Sequence, residues 1–334
     1  MIFRRRTTLL VPLPLASALP ASARESAFRV RLICKGMVKG TVMTLAAIAI
    51  ALAGIGSSPA NAENPDISSR RTSERTDFTN DEIKDGFFKI AFNAELQLGA
   101  PVERIRKFDE PVRIFVVSKG LPDRRSEIAA VIADIQARVN HLDVAMTDDR
   151  QAANFTVTLV AKRDLTRTIR ALYGRDRATR IQQSLNPQCL SGIGKDELYR
   201  IRRAEVILPV DAGEFTFYDC AYEELLQALG AINDDRSVPW TMFNDDVQMG
   251  FFDVYDQYLL NILYDPRIRP GMTKEEVDAL LPEVLPTARA WVTNANLPRH
   301  ADGRHGPGAT PTQAMTAALL RSMNAQTSPG TGAN

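Results

Sequence analysis

Histidine is scarce in this 334-residue chain. There are three, His141, His300 and His305, and the last two lie in a Gly-, Pro- and Thr-rich C-terminal stretch. That supply argues against a zinc site built on several imidazoles. An excess of charge of one sign is missing as well, with 41 basic against 40 acidic residues, so the whole-chain balance points to neither nucleic acid nor an anionic membrane surface. The apolar run Val42–Ile55 falls short of the ~20 residues that span a bilayer, so no stable membrane anchor is expected. There is no G-x-S-x-G elbow, and Gly192-Ile193-Gly194-Lys195 is followed by Asp196 without phosphate-loop spacing. No internal repeat of solenoid length is present.

What the chain does have begins with its leader. Lys39, the run Val42–Ile55 and Ala60-Asn61-Ala62 form a charged n-region, a short h-region and small residues at −3 and −1. The expectation is cleavage after Ala62 and a periplasmic or secreted mature protein. Residues 1–36 precede this signal, and Met37 makes a better start. The leader, 1–62, holds eight basic residues and one acidic, leaving 33 basic and 39 acidic beyond it, a mildly acidic body. Only Cys189 and Cys220 remain after cleavage. Two cysteines in an exported chain are expected to pair.

Along the body, residues 63–80 are polar and read as a flexible lead-in. Helical spacing runs from Asp81 to Leu98, and two strand-like pieces follow, Val102–Phe108 and Val112–Ser118. Arg125–Leu142 is amphipathic. Asn154–Ala161 reads as strand, Arg163–Leu185 as helix and Tyr199–Pro209 as strand. A helix over Phe215–Leu229 ends at Gly230. Shorter helices are predicted at Phe252–Leu263 and, capped by Thr273, at Thr273–Leu281. This order predicts an α/β (α+β) domain over 81–297 with a mixed sheet and a loop-rich C-terminal part. Residues 298–334 read as a disordered tail.

The helix at 215–230 carries the candidate chemistry. Thr216, Cys220, Glu223, Glu224 and Gln227 share one narrow polar arc, with Glu223 and Gln227 one turn apart. A helix presents two ligands and a neighbouring base to one ion in this way, and a surface helix has the same look. The run from Cys220 to Asp234 resembles the zincin signature H-E-x-x-H-x-x-G-x-x-H. Its Glu position matches Glu224 and its Gly position Gly230, while the three ligand positions hold Glu223, Gln227 and Asn233. Trp240–Asp245 stands where that family places its methionine-containing turn. The resemblance implies a zincin-like mixed sheet that has lost its zinc ligands.

Three motifs resemble a family of exported proteobacterial proteins, the domain of unknown function family 2927. They are Cys220-x2-Glu223-Glu224-x2-Gln227-x-Leu229-Gly230, Phe243-Asn244-Asp245 and Leu263–Met272. That resemblance implies an envelope location and no known activity.

The catalytic candidates are Glu224, Glu223 and Gln227, and the binding candidates are Asn233, Asp234 and Asp245. No metal set stands out. Calcium is the cofactor that oxygen ligands would suit, given Asp234, Asp235, Asp245, Asp246, Asp253 and Asp256 within 23 residues. The same aspartates also serve turns and caps. Two functions are therefore expected in order: a degenerate scaffold binding an envelope polymer or protein, then a hydrolase with Glu224 as general base, with or without a metal.

Overall fold

The computed structural model describes residues 63–94, 103–184 and 187–297, all in the unit that begins at Asn61. The leader, the tail and the Leu98 end of the predicted first helix lie outside these residues. Among the described residues there are eight α-helices and one five-stranded sheet, a mixed α/β architecture. No helix of the described residues is long and apolar enough to cross a membrane.

The sheet contains β1 (Val112–Ser118), β2 (Val144–Met146), β3 (Phe155–Val160), β4 (Leu190–Lys195) and β5 (Ile201–Pro209) in the order β2-β1-β3-β5-β4. The first four positions in that order are parallel, and β4 closes the edge antiparallel to β5, Gly192 standing opposite Glu205. Parallel strands need both faces covered. One face buries Val206 and Leu208 in the main core, beneath α3 (Arg125–Arg138) and α6 (Glu214–Ala228). The other face carries a satellite core in which Ile207 and Leu190 pack against Leu165 and Ile169 of α4 (Leu165–Tyr173) and Ala178 and Ile181 of α5 (Arg175–Ser184). Behind α6, α7 (Val254–Leu263) is buried along its whole length, against α2 (Asn80–Ile90) and α8 (Lys274–Ala295).

Several expectations change in the structure. The supposed flexible lead-in contains α1 (Pro65–Ser73), capped by Asn64. Its composition is polar, but Ile67 and Phe78 are buried, and Arg70, Arg71 and Arg75 stack on Phe215, Phe251 and Trp240. In the described residues 91–94, the helical spacing beyond Ile90 does not continue as helix. The segment expected as a strand before Phe108 makes only an isolated bridge, Lys107 with Arg200. Lys107 turns inward instead, its ammonium donating to the Leu263 and Asp265 carbonyls at 2.7 and 3.2 Å. The long helix expected at 163–185 is two helices, because Gly174 at φ +79° breaks it. The last helix continues past Leu281 to Ala295 through Pro282 and Pro286. Val284, Leu285, Ala288 and Val292 stay buried along it, and that packing outweighs the helix-breaking prolines.

Candidate functional site

β5 feeds through a short turn into α6, the helix the sequence singled out. Its polar arc is not solvated surface. Glu224 and Gln227 are each only 6% exposed. They face a cleft of about 690 Å³ lined by α6, β4, the loops around Asp234 and Asn244–Gln248, and the α4–α5 turn region. The Gln227 amide is tied on both sides. Its Oε1 accepts from the Ser191 hydroxyl at 3.1 Å, and its Nε2 donates to Asp234 Oδ1 at 2.7 Å. A buried amide satisfied in this way is held in one orientation.

Cys189 and Cys220 form a disulfide, with Cα atoms 6.0 Å apart. It fastens the start of β4 to the middle of α6, so the edge strand and the cleft floor stay at a fixed distance. One turn before Glu223, Asp219 accepts from the Met249 and Gly250 amides at 2.8 and 3.2 Å. Burial pushes its pKa up to about 6 despite those two bonds.

The opposite wall supplies Tyr173 from the end of α4. Its hydroxyl is buried with no hydrogen-bond partner. Burial first, and then the charges of Glu205 and Glu224, push that phenol above its ordinary range. Gly192 makes room for it, because a Cβ there would collide with the Tyr173 hydroxyl. At another side of the cleft stands Arg106, 4% exposed, which donates to the Asn93 carbonyl and leaves its Nε without a partner.

The structure thus brings Glu223, Glu224, Gln227, Asp234 and Asp245 to one cleft, with Asp245 paired to Arg236 at 2.9 Å. Asn233 is not among them. Its amide donates to the Lys89 carbonyl at 2.8 Å and its backbone N–H to Ile90, so it turns toward α2 and a separate shallow pocket. The neighbouring Asp234 faces the cleft in its place. Sequence reasoning missed Asp219, Ser191, Tyr173 and Arg106. Asp219 could have been found, one turn from Glu223 on the same helix, whereas the other three arrive from distant elements without a local signal.

The donor set does not fit zinc. Of the positions matching the zincin ligands, Gln227 offers an amide already engaged on both sides and Asn233 points elsewhere. Among the described residues no group of three or more His, Cys, Asp or Glu could hold a metal ion. The aspartates expected as calcium ligands have separate structural tasks. Asp235 accepts from Ser237 in a turn, Asp245 pairs with Arg236, and Asp253 caps α7. Asp256 is fully buried, accepting from Thr241 Oγ1 at 2.5 Å and the Met242 amide at 2.8 Å.

Compared with protein families, residues 80–283 match the one described as Protein of unknown function (DUF2927), and the chain belongs to that family. No curated protein and no solved structure matches the chain.

Proposed function

We propose that this DUF2927 protein is exported to the cell envelope and binds an extended segment of a protein or envelope polymer in the cleft between β4 and α6. The observation that carries this reading is the outer edge of β4. Among the described residues that strand pairs with β5 on one side only, and it runs beside a cleft floored by Glu223, Glu224 and Gln227. An unpaired edge offers a row of backbone donors and acceptors to an added strand, and the pockets beside it select its side chains. Export is supported by the leader pattern ending at Ala62 and by the Cys189–Cys220 bridge, a linkage that persists in oxidising compartments. A zincin-like scaffold without its ion is supported by the run of β5 into α6, by Gly230 closing that helix, and by the loop around Met242 meeting the cleft through Asn244 and Asp245.

The second reading is metal-independent hydrolysis, and the burial of the Glu224 carboxyl inside the cleft favours it. There Glu224 would take a proton from water and Glu223 would supply one to the leaving group. A display library of short peptides screened against the exported protein tests both readings. Binding that slows amide hydrogen exchange across Leu190–Lys195, and that persists in Glu224→Gln, is the expected result. Binders that protect only other surfaces would sink the cleft reading. Cleavage of a bound peptide by the wild type, abolished in Glu224→Gln with folding intact, would establish the hydrolase instead.

A further inference from the structure

Arg106 is a cation buried in the cleft wall without a counter-charge. It is 4% exposed, its Nη2 donates to the Asn93 carbonyl, and its Nε has no partner. Nη1 forms no hydrogen bond among the described residues, so the fork has donors left to give. Burial alone draws its pKa down to about 10, with no neighbouring carboxylate to oppose the shift. Other buried or half-buried cations are matched. Lys107, the next residue, donates to two carbonyls and feels the charges of Asp265 and Asp109. Arg138 pairs with Asp134 and Arg124 with Glu127. A desolvated charge left unpaired lowers stability, and a bound anion recovers that loss.

The place of Arg106 in the cleft is fixed from two sides. Its carbonyl packs on Gly230, at the C-terminal end of α6. The adjoining Lys107 bridges Arg200, next to Ile201, which stands opposite Lys195 in the sheet. Arg106 therefore stands at the end of the cleft where β4 reaches Lys195, an exposed second cation of the lining. The acidic residues Asp219, Glu223 and Glu224 occupy earlier turns of α6. We propose that this end of the cleft receives a carboxylate of the bound segment, held by Arg106 with Lys195 beside it. The inference rests on the strand-addition reading of the cleft. A guanidinium fork matches a carboxylate, and such a charge-assisted bond is stronger than a neutral one. Two sources would supply the group. One is the C-terminal carboxylate of a segment paired parallel to β4, since its last residue then lies beside Lys195. The other is an acidic side chain of a segment passing through.

The peptide acetyl-Thr-Val-Thr-Val-Thr-Val matches the six residues of β4 and favours extended backbone. It is titrated into the disulfide-bonded protein in three forms: the free acid, the C-terminal amide, and the amide with Glu replacing the last Thr. A carboxylate form should bind roughly tenfold or more tighter than the plain amide. A lead of the free acid identifies a chain terminus as the source, and a lead of the Glu form an acidic side chain. The preference should vanish in Arg106→Gln and persist in Arg163→Gln, an exposed arginine of α4's approach that does not line the cleft. The urea midpoint of Arg106→Gln should hold, because the change removes an unpaired buried charge. Equal binding of the three forms, or a preference retained in Arg106→Gln, overturns the proposal. A lowered midpoint overturns it too, by making Arg106 a structural cation. Amide exchange across Leu190–Lys195 reports on strand addition separately. Slowed exchange without a carboxylate preference keeps strand addition and removes only the anion site. A preference without slowed exchange keeps the anion site and removes strand addition, and absence of both effects removes both.

Discussion

Gly230 follows α6 at φ +126°, with the Arg106 carbonyl oxygen packed where a side chain would begin. An L-residue there meets both an unfavourable backbone region and a steric overlap with backbone that cannot rotate away. Gly230→Ala should therefore lower the unfolding free energy by about 2–4 kcal/mol, read from urea unfolding followed by circular dichroism. An unchanged midpoint would show that the segment around Arg106 can yield. At this scale the sequence was legible where a residue's role is set by its own helix. Glu223, Glu224 and Gln227 lie on one face of α6 because their spacing puts them there, and the glycine closes that helix. It was not legible at the next turn, where Asn233 and Asp234 differ by one position and only the path of the loop decides which enters the cleft.

β4 is the element that makes the cleft, and the sequence reading passed over it. Leu-Ser-Gly-Ile-Gly-Lys has weak strand propensity, with two glycines in six residues. It becomes a strand because β5 lies beside it and because Cys189 is bonded to α6. Removing that bond should have two effects. In the chain-entropy model a bridge between residues 31 apart contributes roughly 3.7 kcal/mol, so Cys189→Ser/Cys220→Ser should unfold at correspondingly lower urea. Amide exchange in Leu190–Lys195 should also accelerate more than in β3, because the edge strand loses its tie to the helix. If the two strands speed up equally, the bridge acts on the whole domain and not on the cleft edge. α1 teaches a related point. Ile67 of α1 and Phe78 just after it are too few apolar anchors to give a pattern, and the hold of this segment on the domain comes from arginines stacked on rings supplied by distant segments.

For the molecule as a whole, buried carboxyls set a pH dependence. Asp253 and Asp256 lie together at the start of α7, and Glu74 accepts from the Val254 amide at the same helix end. Burial and the neighbouring Asp256 hold Asp253 well above the carboxylate range, while burial pushes Asp256 up to about 6 and Glu74 up to about 7. Arg71 and Arg138 oppose the Glu74 shift and Asp253 adds to it. A raised folded-state pKa means that the native protein holds protons the unfolded chain gives up. The associated stability is complete below the ordinary carboxyl range, near 4, and is lost as pH rises through about 6 to 7. The thermal midpoint should accordingly be higher at pH 5 than at pH 8. Glu74→Gln, which keeps an acceptor for Val254, should narrow that gap by stabilising the protein at pH 8, on the order of 1 kcal/mol after allowing for solvent near the partly exposed carboxyl. Equal midpoints at both pH values would mean that Glu74 is ionised throughout.

Whatever depends on a residue's neighbours along the chain was fixed by the sequence itself: the mixed α/β order, the helix from β5 onward with its polar arc, the cap of α8, and the chemistry open to two cysteines. Hydrophobic period and capping act over a few residues, so they can be read from a string. Tertiary structure alone decided which polar groups are buried together. It placed Ser191 and Asp234 on Gln227, set Tyr173 under Gly192 and turned Asn233 toward α2. These contacts join segments tens of residues apart, and their energy comes from desolvation and packing that no local pattern encodes.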